Sequence, residues 1–146
     1  MEKDLTIILV ESDITHTSLF IRNLRQAGVD NEILQFRNGH ESLDFLFQKG
    51  DGLHRIKNTP YVLILDIPET DGVEVLRQIK QDERLRIIPT IIIMNTDDPG
   101  KAERCYELGC SIYITKPVDY ERFIETINRI GFILTIIEVP KVNHET

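Results

Sequence analysis

Three stretches constrain the fold of this chain most: LTIILV (5–10), YVLIL (61–65) and TIIIMN (90–95). Each is apolar almost without interruption, where a half-buried strand would alternate. A strand that is apolar on both faces must be covered on both, which is the condition of a parallel sheet between two layers of helices. The stretches between them have a helical period. Residues 15–27 put Phe20, Leu24 and Ala27 on one face, with Gly28 as a stop. Residues 72–81 turn Val75, Leu76 and Ile79 inward. Weaker strands are expected at 32–36 and 111–115, and further helices at 40–49, 100–108 and 119–130, the last capped by Asp119 and closed by Gly131. Strand and helix alternate five times, so right-handed crossovers place helices on both sides of one sheet.

The chain has 146 residues, enough for one domain with a real core. Its formal net charge of −7 repels a phosphate backbone, so no nucleic-acid partner is expected. Cys105 and Cys110 form no CxxC and no metal-like cluster, and are read as packed, free thiols of a reducing compartment. The four histidines, His16, His40, His54 and His144, are scattered and suggest no metal pair. The acidic N-terminus lacks a basic n-region, and no apolar run approaches the ~18 residues of a membrane span. A cytoplasmic protein without membrane contact is expected. The tail FILTIIEVP (132–140) is too apolar to hang free. It either extends the last helix or forms a strand-like arm, packed on this subunit or on another.

In an open α/β sheet, ligands bind beyond the carboxyl ends of the strands. Here those ends carry Glu11-Ser12-Asp13, Asp66, Met94-Asn95-Thr96 and Thr115-Lys116-Pro117. Carboxylates gathered at one edge suggest a shared cation or proton. Hard oxygen ligands favour Mg²⁺, which takes few carboxylates and keeps several waters. Lys116-Pro117 is read as a fixed turn whose peptide is left open between cis and trans, X-Pro being the bond type where cis occurs.

Glu11, Asp66, the Asp71-Gly72 pair and Lys116-Pro117 together resemble the receiver domains of bacterial response regulators, over about residues 5–131. SLDFLFQKGD, QDERLRIIPT, YELGCSIYITKPVD and the tail are similar to the single-domain regulators that partner phytochrome kinases. The resemblance implies a flavodoxin-like sheet of order 2-1-3-4-5 with a receiver over 1–131, and the apolar stretch FILTIIEV within the extension 132–146, which would leave an exposed patch on a monomer, suggests a homodimer. The resemblance implies Asp66 as phosphoryl acceptor from a histidine kinase, Lys116 as the phosphoryl contact, and Mg²⁺ held by Glu11 and Asp66. It also implies Tyr113 as an aromatic switch, and signalling through the face of the fourth helix, fifth strand and fifth helix.

Three features depart from that pattern. Ser12 stands where receivers carry a metal-ligating aspartate, which leaves Asp13 or Glu69 as further metal candidates. The loop DIPETDG is two residues short. Met94 stands where receivers carry the switch hydroxyl, with Thr96 further along as the substitute. The reading is therefore a non-enzymatic response regulator, at most self-phosphorylating, whose phosphorylation is weak or lost. The alternatives are a phosphorylation-independent interaction module and, more remotely, a flavin- or nucleotide-binding protein. The latter lacks any GxGxxG or GxxxxGK[ST] after a strand.

Overall fold

The computed structural model describes residues 4–142. In chain order the elements are β1 (Thr6–Glu11), α1 (Ile14–Gln26), β2 (Ile33–Phe36), α2 (Gly39–Leu46), β3 (Thr59–Asp66), α3 (Glu69–Gln81), β4 (Thr90–Met94), α4 (Pro99–Leu108), β5 (Ile112–Thr115), α5 (Tyr120–Ile136) and β6 (Lys141–Val142). A 3₁₀ turn, Leu85–Ile87, precedes β4. The strands run β2-β1-β3-β4-β5, all parallel. This is the flavodoxin-like order expected. The two-residue β6 adds an antiparallel pairing at the start of β3.

Side chains alternate across each strand, and this alternation decides where a functional site can form. Ile7, Leu9, Val62, Ile64, Ile91 and Ile93 face Phe20, Leu24, Phe123 and Ile127 of α1 and α5. Ile8, Val10, Leu63, Leu65, Ile92 and Met94 face α2, α3 and α4. Continuing the first parity brings Glu11, Asp66 and Lys116 onto the α1–α5 side. The second parity gives Met94 and Tyr113 to the α3–α4 side.

The tail does both things left open by its sequence. Its first part prolongs α5 to Ile136, and its last described residues form β6 against Thr59 and Pro60. Gly131 therefore does not close α5. Gly28 and Gly109 do take the left-handed conformation that ends a helix, with φ of +95° and +108°. Gly131 lies inside the helix, where an added Cβ would sit 2.7 Å from Ala27 Cβ and 3.6 Å from Leu24 Cδ2. Its missing side chain lets α5 approach α1. The third helix begins at Glu69, three residues before the expected start at 72, because only Ile67 and Pro68 separate it from β3. The peptide before Pro117, left open between cis and trans by the sequence, is trans: no cis bond occurs among the described residues. Trans is the ordinary state even before proline.

Gly131→Ala tests the α1–α5 contact. Alanine favours an isolated helix by about 1 kcal/mol, but overpacking a tight core contact costs about 1–3 kcal/mol. The variant is expected to unfold at lower urea concentration than the parent. A midpoint above the parent's would show that the helices part without penalty.

Candidate functional site

Parallel pairing of β1 with β3 sets Glu11 directly beside Asp66. Both carboxylates are buried, at 3% and 6% exposure. Lys116 follows β5, and its backbone N–H donates to the Met94 carbonyl, which carries the β4–β5 ladder one residue further. That anchor aims its ammonium at the acids. Nζ donates to Asp66 Oδ2 at 2.8 Å and lies 3.7 Å from Glu11 Oε1. It also stands 5.1 Å from the Phe123 ring, a cation–π contact from α5.

The start of α1 closes the pocket. Asp13 accepts from the backbone N–H of Thr15 and of His16 at 2.8 and 3.1 Å, a helix cap that holds its carboxyl below the usual range, chiefly through the His16 N–H. Its own N–H donates to Glu11 Oε2 at 3.0 Å. So Asp13, expected as a metal candidate, is exposed and spent on the cap. Ser12 is exposed as well. The residue that enters the pocket is His16. Its Nδ1 lies 3.0 Å from Lys116 Nζ and 3.9 Å from Glu11 Oε1. An ammonium only donates, so Nδ1 accepts here. The reading of all four histidines as scattered is thus corrected for His16. Its one visible signal was its place three residues after the capping Asp13, which turns it back over the strand ends.

Glu69, the other metal candidate, lies on the opposite side of the sheet. It occupies the first turn of α3 and accepts from Lys101 Nζ at 2.7 Å. Together with Met94 and Cys105 these residues line a separate cleft of about 240 Å³. The short connection from Asp66 starts α3 at once and carries Glu69 away from the acids. Asp71 is exposed in the same first turn, and Gly72 is buried, 3.6 Å from Met94 Cε at the position of an added Cβ. Met94 is core, 2% exposed. Thr96 does not replace the missing hydroxyl: its Oγ1 accepts from the Asp98 N–H, and its carbonyl accepts from the Tyr113 hydroxyl at 2.8 Å. Cys105 and Cys110 are free and buried, and burial pushes the Cys110 thiol up to about 11.

The pocket retains a feature that suits a cation. Glu11 Oε1 is buried with no hydrogen-bond partner. One ligand atom each from Glu11, His16 and Asp66 lie within 4.8 Å of one another. Two carboxylates are as many as Mg²⁺ ordinarily takes from a protein, so Glu11 and Asp66 fit it.

Burial, and then a hydrogen bond shared with Asp66, push the Glu11 carboxyl from about 4.5 up to about 8. The unfolded chain therefore releases the proton first, and folding stability falls as pH rises between these values. In metal-free buffer, the parent is expected to lose stability relative to Glu11→Gln from about pH 5 to pH 8. Urea midpoints that run parallel across that range would show that Glu11 ionises normally.

Comparison with known proteins agrees with this geometry. The family model described as the response regulator receiver domain matches residues 7–128. The polar-differentiation response regulator DivK of Brucella anthropi is 36% identical over 124 residues, covering 84% of this chain and 92% of its own. A crystal structure of a response regulator receiver domain from Rhodospirillum rubrum superposes with a TM-score of 0.84 at 36% identity, covering 94% and 99%. The phosphorylated cyanobacterial phytochrome response regulator RcpA superposes with a TM-score of 0.76 at 27% identity, covering 92% and 97%. The fold is thus that of a known signalling module: the chain belongs to the response regulator receiver domain family of two-component systems.

Proposed function

We propose that Asp66 is the phosphoryl acceptor of this receiver, supplied by a sensor histidine kinase of the phytochrome kind. The observation that carries this reading is the 2.8 Å contact between Lys116 Nζ and Asp66 Oδ2 at the mouth of the sheet. A carboxylate oxygen of Asp66 attacks phosphorus as the N–P bond of the donor phosphohistidine breaks, and the imidazole leaves. Such transfer depends on positioning and on neutralising charge more than on covalent help. The strand end positions Asp66 rigidly, and Lys116 follows the developing phosphoryl oxygens. Glu11 and Asp66 would hold Mg²⁺, which supplies further neutralisation of those oxygens. The phytochrome assignment rests on the likeness to RcpA and on the stretches shared with such regulators.

Phosphorylation is expected to be weak. Met94 offers no hydrogen bond where a hydroxyl would receive a phosphoryl oxygen. The Tyr113 hydroxyl is already engaged by the Thr96 carbonyl, so the aromatic switch has no hydroxyl to follow. These same two features favour a second reading, an interaction module of fixed conformation. Intact mass after incubation with Mg²⁺ and a small phosphodonor separates them. A partial phosphoryl adduct that Asp66→Asn abolishes supports the acceptor. A folded protein with no adduct supports the fixed module.

We infer that residues 132–146 serve a homodimer. Phe132 and Ile136 stand one turn apart on α5, each 64% exposed, and exposed apolar pairs on one face mark interfaces. Phe132→Asp with Ile136→Asp is expected to convert a dimer to a monomer by sedimentation velocity at micromolar concentration. A parent that already sediments as a monomer overturns this.

A further inference from the structure

We propose that the outer edge of β2, with the groove beside it, binds an extended basic segment of a partner protein as an added strand. The site lies on the α2 side of the sheet, apart from the acids at the strand ends, and does not rest on their phosphorylation.

The backbone supplies half of the site. β2 ends the sheet, with β1 as its neighbour among the described strands. The Ile7 N–H donates to the Glu32 carbonyl, and Ile7 stands opposite Ile33 in the parallel register. The ladder to β1 therefore takes the backbone of Glu32, Leu34 and Phe36, and it turns the N–H and C=O of Ile33 and Gln35 outward. Neither residue finds a backbone partner on that side among the described residues. Such a row is a template for another strand, and proteins commonly blunt it with lysine, proline or a covering loop. β2 reads Ile-Leu-Gln-Phe, with neither charge nor proline.

Side chains supply the other half. Leu34 and Phe36 point to the α2 side, where with Phe45 and Leu53 they line a groove of about 470 Å³. Its floor is fixed by the Phe36 and Phe45 rings, packed with centroids 5.3 Å apart. Its far wall, residues 49–53, is held from behind. His54 Nε2 donates to the carbonyls of Lys49 and Gly50 at 3.2 and 2.9 Å, and Arg55 Nε donates to the Leu46 carbonyl at 2.8 Å. Leu53 is 62% exposed, an aliphatic side chain left at the groove's mouth. A strand laid on β2 sends alternate side chains into this groove. Edge hydrogen bonds then give affinity, and the groove gives specificity.

Charge chooses the occupant. The rim carries Glu41, Asp44 and Asp51 against Lys49, whose ammonium lies 5.7 Å over the Phe47 ring. The chain as a whole bears a formal charge of −7. That field attracts lysine and arginine placed beside the apolar residues of the incoming strand. It disfavours a second copy, because pairing β2 with β2 about a two-fold axis sets one acidic rim against the other.

The test uses the full chain and a pool of short synthetic peptides that alternate Lys or Arg with Leu, Ile, Val or Phe. A matched pool carries Glu in place of the bases. The basic pool is expected to contain members that bind with Kd below about 1 mM, less tightly as salt rises, and the acidic pool none. On binding, the Ile33 and Gln35 amides should shift in resonance and gain protection from hydrogen exchange. N-methylation of one set of alternate peptide residues should abolish binding, and of the other set should spare it, since only one set faces β2. Asp44→Asn with Asp51→Asn should weaken binding by at least about threefold, the scale of two exposed ion pairs. A basic pool with no member below that Kd overturns the proposal. So does a binder indifferent to which set is methylated, which is charge attraction alone. Ile33 and Gln35 amides that gain protection as the protein alone is concentrated would mark a second copy on this edge, and would also overturn it.

Discussion

The ammonium of Lys116 balances the buried end of the sheet. Glu11 and Asp66 are brought side by side by the β1–β3 register, out of water, where two ionised carboxylates repel strongly. One positive charge and one retained proton resolve that conflict. Lys116 bonds Asp66 directly, while Glu11 stays protonated over much of the neutral range. Lys116 is itself placed by backbone, through its amide N–H to the Met94 carbonyl, and its ammonium lies over the Phe123 ring. Charge, register and ring packing are thus one arrangement. Deleting the lysine alone would leave a buried acid pair without its counter-ion, which costs about 3–5 kcal/mol in buried pairs generally.

Strand parity distributes the remaining roles. Because residues of one strand alternate between faces, the paired acids lie toward α1 and α5, and Met94 and Tyr113 toward α3 and α4. Events at the acids therefore reach the second face through the backbone at the end of β4, or not at all. The hydrogen bond from Tyr113 to the Thr96 carbonyl ties that backbone to β5. With methionine at the end of β4, the tie is to a carbonyl that no side-chain hydroxyl relays.

The two-residue connection after Asp66 has a similar consequence. Ile67 and Pro68 enter α3 immediately, and Glu69 pairs with Lys101 across the α3–α4 cleft. The first turn of α1 leans over the acids, with His16 toward the strand ends.

The sequence by itself determined the sheet and its class. Continuous apolar runs admit only burial on both faces, a local property that neighbouring residues carry in full. It also placed Asp66 at the end of β3 and Lys116 just past β5, because the apolar runs that make those strands end at these residues. What it could not determine depends on distances between elements. Gly131 reads as a stop in isolation, and only the approach of α1 shows it as a contact. Asp13 and Glu69 read as ligands, yet one is consumed by a helix cap and the other by a lysine thirty-two residues away. His16 reads as a lone histidine, and it meets Lys116 a hundred residues on. Only the tertiary structure decided these, because a side chain's partner is set by what folding brings near it.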